Sequence, residues 1–175
     1  PAGFPQAALR RPLDIAFVAR KLQGSLGRSG EVDPTRTALI GYSMGGYGAL
    51  AAAGATLDPA GGLVSRVPGG LLQPFARGGA LSASLVAPAV KAVVAIAPAG
   101  GAFGAFGADG LAGIKSPLLL IAGDHDNTVD YTSGARAYFD LAVHSNRYLL
   151  TFLGGGHALG FGPAPPEMRT DLWNQ

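Results

Sequence analysis

A serine hydroxyl attacks a carbonyl at neutral pH only when a neighbouring base takes its proton and a third group holds that base in the right tautomer. The chain has one segment suited to exposing such a serine, Gly41-Tyr42-Ser43-Met44-Gly45. Its glycines permit a sharp, strained turn. The apolar run Thr37 to Ile40 before it reads as a strand, and the Ala/Gly/Leu-rich stretch from Gly45 to Ala55 after it reads as a helix. In that setting Ser43 stands exposed above the end of a strand, and the backbone N–H of Met44 is placed to donate to an oxyanion. With 28 glycines in the chain, the bare pattern can also arise by chance, as an ordinary turn serine. The strand before it and the helix after it favour the nucleophile.

A base and an orienting acid are expected at the ends of later strands, where functional groups collect in parallel sheets. After the apolar run Pro117 to Ala122 comes a polar loop, Gly123-Asp124-His125-Asp126-Asn127-Thr128-Val129. It offers Asp124 and Asp126 as acids, with Asp130 just beyond, and a carboxylate in such a loop can equally be a turn or cap residue. After the run Arg147 to Phe152 comes Gly154-Gly155-Gly156-His157-Ala158, a pliant loop suited to carrying an imidazole over Ser43. The other two histidines suit that role less well. His125 adjoins the acid, and His144 follows a helical stretch, so both read as solvated or capping residues.

Strand-Gly-x-x-Asp-x-x-Val, followed by a strand and a Gly-x-x-His segment, resembles the α/β-hydrolase superfamily. In detail it is similar to the dienelactone-hydrolase-like and platelet-activating-factor-acetylhydrolase-like esterases, with some similarity to bacterial cutinases and polyester hydrolases around Asp126 and His157. The resemblance runs from about Pro12 through His157, leaving out 56–88. It implies Ser43 as nucleophile, Asp126 as acid, His157 as base and Met44 as one oxyanion donor, in the family's chain order of nucleophile, acid and histidine. Dienelactone hydrolases proper use a cysteine nucleophile. This chain has no cysteine, so the implied activity is that of a serine carboxylesterase on small-molecule esters, with no metal or cofactor. Thioesterase, lipase and peptidase activities share the fold, and the acyl pocket decides among them. Phe103, Phe106, Leu71, Leu72 and Phe75 either line such a pocket or anchor the core and loops. The rival from another class is an inactive or truncated hydrolase-fold domain acting as a binding module.

The elements needed to hold these groups are legible as an α/β pattern. Of the 175 residues, 48% are hydrophobic and only 14% charged, a burial signal that fits strands covered on both faces. The length fits one domain, residues 1–175. A surface helix is expected over Asp14 to Leu22, with Ile15, Val18 and Leu22 on its buried face. Further strands are expected at Val90 to Ala97, Pro117 to Ala122 and Arg147 to Phe152, and a helix at Tyr131 to Val143. Residues 56–88 read as an insertion over the sheet edge, either a cap or a plain connection. The alternation argues for a mostly parallel sheet flanked by helices.

Several classes are excluded. The net charge of +2 is spread over scattered basic residues, which gives nucleic acid no footprint. The uncharged stretch Ala92 to Ala108 contains Pro98 and Gly100-Gly101, so it is no membrane span. Without cysteine there is neither a disulfide framework nor a thiolate metal site. The resemblance adds one expectation. In that family the first strands and the loop giving the second oxyanion N–H precede the nucleophile by more than the 42 residues found here, and no His-Gly-Gly-Gly segment occurs. The chain is therefore expected to be a C-terminal portion whose nucleophile strand presents an apolar edge open to self-association.

Overall fold

Strand-forming residues fill four short runs, and in the computed structural model, which describes residues 3–159, all four become strands of one sheet. They are β1 (Thr37–Tyr42), β2 (Val90–Ile96), β3 (Leu118–Gly123) and β4 (Arg147–Phe152). They pair in parallel in the order β1-β2-β3-β4. Because side chains alternate between faces, Val93, Ala95, Leu118 and Leu120 point into the core while their neighbours face the other way.

The first helix, α1 (Phe4–Lys21), starts ten residues earlier than the spacing predicts and runs through Pro12. A proline inside a helix leaves the carbonyl four residues back without its N–H donor. Here that carbonyl belongs to Ala8, and the buried Tyr47 hydroxyl donates to it at 3.0 Å. The buried face of α1 is also not the expected one. Ala8, Pro12, Ala16 and Ala19 are buried, whereas Val18 and Leu22 are half exposed. Small residues win because α1 lies very close to α2 (Met44–Ala52): a Cβ on Gly48 would stand 2.9 Å from Ile15.

The expected helix over Tyr131 to Val143 is shorter and broken. A wide turn, Thr132–Arg136, leads into α3 (Ala137–Leu141), and Val143 lies beyond it, exposed. Residues 56–88 form only short helical turns, yet Leu57, Leu63, Val64, Leu72 and Leu85 in them are buried in the same core cluster as β2, β3 and Tyr47. Leu72 and Phe106, two of the pocket candidates, are core residues of that cluster. No helix among the described residues is long and apolar enough to cross a membrane.

Two features depart from a sheet covered on both faces. Among the described residues, strand β1 is an edge strand. The face turned away from the core also carries a cross-strand row, Ile40–Val94–Leu119–Tyr148, whose end members Ile40 and Tyr148 are 73% and 65% exposed. An apolar row beside an unpaired parallel edge invites association. Light scattering over a concentration series is expected to show self-association that Ile40→Lys diminishes. A wild-type chain that remains monomeric throughout would contradict this.

Candidate active site

Ser43 sits where β1 ends and α2 begins, with φ +54° and ψ −119°. That conformation costs a non-glycine residue about 1–3 kcal/mol and persists only when its surroundings over-determine it. Three backbone bonds do so. The Ser43 N–H donates to Ile96 of β2 at 2.8 Å, while the Ser43 carbonyl accepts from Tyr47 in α2 at 3.1 Å and from Ala99 after β2 at 3.0 Å. The glycines of the turn are not equivalent. A Cβ on Gly41 would stand 2.1 Å from the Gly45 carbonyl oxygen, and one on Gly46 3.0 Å from the Pro98 Cα, whereas one on Gly45 would meet nothing within 4 Å. Met44 begins α2, so its N–H is among the first four that lack a partner within the helix.

Asp126 and His157 are each only 3% exposed. His157 Nδ1 lies 2.8 Å from Asp126 Oδ2, and His157 Nε2 lies 3.1 Å from Ser43 Oγ. The tautomer that satisfies both contacts carries its proton on Nδ1, donates it to the carboxylate and leaves Nε2 to accept from the serine hydroxyl. The other Asp126 oxygen accepts from the N–H groups of Thr128 at 3.0 Å and Val129 at 3.2 Å, which fixes the carboxylate in its own turn. Both oxygens of this buried carboxyl group are thus engaged, one with the imidazole and one with its own loop.

The rival acids have other partners. Asp130 accepts from the Ser133 backbone N–H and hydroxyl, which hold its carboxyl below the usual range. Asp124 accepts from the Gly154 N–H at 2.7 Å and so ties the histidine loop to the acid loop. The same seam holds His125, whose N–H donates to Gly155 at 3.0 Å. It also admits no side chain at position 123, where a Cβ would stand 1.9 Å from the Gly155 oxygen. His144 lies apart, with Nδ1 2.9 Å from the Ala112 oxygen.

Tyr42 belongs to this site, although its type and spacing do not announce it. Its hydroxyl donates to the His157 carbonyl at 3.1 Å, and its ring lies 5.0 Å from the imidazole, inclined by 37°. Burial first, and the Asp126 carboxylate second, raise the Tyr42 phenol above the usual tyrosine range, so it remains a protonated donor. The only sequence signal was an aromatic residue directly before Ser43, and the contact it makes spans 115 residues of chain.

Comparisons bear on the fold of this chain. No protein-family model and no curated protein sequence matches it. Among solved structures it is similar to esterase 2 of Thermogutta terrifontis phosphorylated by paraoxon, with 18% identity and a TM-score of 0.52 over 85% of this chain and 53% of that one. It is also similar to a truncated form of a carbohydrate esterase from gut microbiota, with 18% identity and a TM-score of 0.51 over 93% of this chain and 64% of that one. A variant of SOBER1 from Arabidopsis thaliana gives 13% identity and a TM-score of 0.51 over 86% of this chain and 56% of that one. The chain thus has the α/β-hydrolase fold and spans roughly half to two thirds of the length of these structures.

Two outcomes follow from the geometry. Gly41→Ala is expected to lower stability by about 2–4 kcal/mol in thermal melts, because backbone must move. Gly45→Ala should leave stability unchanged or raise it by up to about 1 kcal/mol through helix propensity, and equal losses in the two variants would refute the account. Tyr42→Phe removes one hydrogen bond but keeps the ring, so thermal melts should show a loss of about 0.5–1.5 kcal/mol, with a larger loss in Tyr42→Ala.

Proposed function

We propose that the chain is a serine hydrolase acting on carboxylic esters through an acyl-enzyme. The observation that carries this reading is the continuous contact from Ser43 Oγ to His157 Nε2 at 3.1 Å and from His157 Nδ1 to Asp126 Oδ2 at 2.8 Å, beneath a serine held at φ +54°. As Ser43 Oγ bonds to the ester carbonyl carbon, its proton passes to Nε2, and the Asp126 carboxylate stabilises the imidazolium without taking the proton. The Met44 N–H faces the negative charge that develops on the carbonyl oxygen. The tetrahedral intermediate collapses with loss of the alkoxide, which takes the proton from His157. Water, activated by the same imidazole, then releases the acid.

Apart from the ester and water, each step uses only side-chain and backbone groups of this chain, so the mechanism calls for no metal or cofactor. Esterases of the same fold support the reading, and the one phosphorylated by paraoxon supplies a probe. The finer resemblance, to the dienelactone-hydrolase-like and platelet-activating-factor-acetylhydrolase-like serine esterases, is part of the same proposal.

Paraoxon or a fluorophosphonate is expected to add one phosphoryl or phosphonyl group to the protein, and Ser43→Ala to abolish it. A folded protein that takes no label would leave the binding-module reading in its place. Asp126→Asn should lower turnover by roughly 10³–10⁴-fold through loss of the correct tautomer. Asp124→Asn keeps an oxygen for the Gly154 N–H and should cost less than about tenfold. The reverse ranking would exclude Asp126 as the acid.

A further inference from the structure

Ser43 has a strained neighbour in the next strand over. Ala97, the first residue after β2, is fully buried with φ +42°, and three residues on Gly100 has φ +106°. Between the two lies Ala99, whose N–H donates to the Ser43 carbonyl at 3.0 Å. The segment that holds the serine turn is therefore itself strained, and such a conformation persists only when its surroundings fix it.

Three contacts do so. The Ala97 N–H donates to Ile121 of β3 at 2.7 Å. A Cβ on Gly101 would stand 2.3 Å from the Ser133 oxygen, so the segment is pressed against the Thr132–Arg136 turn that follows the Asp126 loop and leads into α3. The third contact is made by a side chain. Tyr138 of α3 is buried, and its hydroxyl donates to the Ala99 carbonyl at 3.2 Å. Burial first, and Tyr47 second, raise this phenol above the usual tyrosine range, so it stays a protonated donor. Its ring meets Phe106 edge-on at 5.7 Å, which fixes the direction of the hydroxyl. Ala99 thus gives its N–H to Ser43 and its carbonyl to Tyr138.

We infer that Tyr138 is a positioning residue for Ser43 and acts through Ala99. This rests on Ser43 being the nucleophile. The Tyr138 hydroxyl is spent on a backbone carbonyl, so its effect is on where the serine stands. Without it the buried Ala99 carbonyl loses this donor, which is costly, and the strained segment relaxes. Gly100, on the far side of the same peptide, offers little resistance. The Ala99 N–H then no longer holds the Ser43 carbonyl, and the serine turn loses one of its three backbone bonds. A small displacement of a nucleophile lowers the rate of attack while leaving substrate binding largely intact. The same bond ties α3, which follows the acid loop, to the serine turn, so it also sets Ser43 against Asp126.

The test compares Tyr138→Phe, which keeps the ring, with Ser145→Ala. The Ser145 hydroxyl likewise donates to a backbone carbonyl, that of Ser116 at 2.6 Å, and Ser145 is buried, but the pair precedes β3 and β4, at the opposite edge of the sheet from Ser43. Both variants should melt earlier than the wild type. With p-nitrophenyl acetate, well below the melting temperatures, only Tyr138→Phe should lower kcat, by roughly three- to tenfold at unchanged KM. Amide hydrogen exchange followed by NMR reads the brace without turnover. Exchange at Ala99 should quicken in Tyr138→Phe beyond what the loss of overall stability accounts for, and not in Ser145→Ala. If the wild type cleaves no ester and Ala99 still exchanges faster in Tyr138→Phe, the brace stands and the proposed hydrolysis alone fails. A wild-type kcat in Tyr138→Phe, a loss confined to KM, an equal loss in Ser145→Ala, or unaltered exchange at Ala99 overturns the inference.

Discussion

The absence of a side chain at Gly41 is the constraint on which the rest of the site hangs. The chain must leave β1, reverse direction at Ser43 and enter α2, and in doing so it brings the Gly45 carbonyl to within 2.1 Å of where a Cβ on residue 41 would be. The turn is uphill in local energy, since Ser43 adopts a conformation that L residues avoid. It is held by the hydrogen bond to β2, by the first turn of α2 and by the loop that follows β2. Each of these belongs to the packed body of the protein. Strain at the serine is therefore balanced by the sheet and the helix, and the hydroxyl is left on top of the sheet.

A second close approach does for His157 and Asp126 what the first does for Ser43. At Gly123 and Gly155 the acid loop and the histidine loop touch backbone to backbone. Asp124 bonds across the seam to Gly154, and Tyr42 reaches over from the serine strand to the His157 carbonyl. The imidazole is thus located by its two ring nitrogens, by the carbonyl of its own residue and by an aromatic face. Three of the four strand ends, those of β1, β3 and β4, meet in this arrangement, and β2 holds the serine turn from below. The site is a property of the parallel sheet, whose C-terminal edge gathers loops from distant parts of the chain.

The sheet itself is unevenly dressed. Among the described residues, the helices and the 56–88 segment gather on one face, where Phe106 stacks on Tyr47, meets Tyr138 edge-on, and shares a core with the strand leucines. Ile40 and Tyr148 project from the other face. The 56–88 segment looks irregular because it is rich in Gly and Pro, yet it contributes fully buried leucines to the core. It is held to the core by tertiary contact and turn hydrogen bonds rather than by regular secondary structure.

What could be read from the amino-acid sequence was whatever has a local physical signature. Four apolar runs mark strands because a buried parallel strand needs nearly continuous apolar residues. The glycines around Ser43 mark a turn, and at Gly41 the close approach of that turn leaves no room for a side chain. Ser43, Asp126 and His157 were singled out partly by residue type and position after strands and partly by family resemblance, and the structure brings those three into contact. The face that α1 buries was not legible, because the spacing of Ile15, Val18 and Leu22 describes an amphipathic helix but says nothing of how close its neighbour comes. A neighbour rich in glycine and alanine selects the small stripe through Ala8, Pro12 and Ala16 instead. Nor could the helix be seen to run through Pro12, since the carbonyl that proline leaves free finds its donor 39 residues away, in Tyr47. Tyr42 and Asp124 escaped for the same reason. Their roles depend on partners 115 and 30 residues distant, and only the folded sheet decides which strand ends lie side by side.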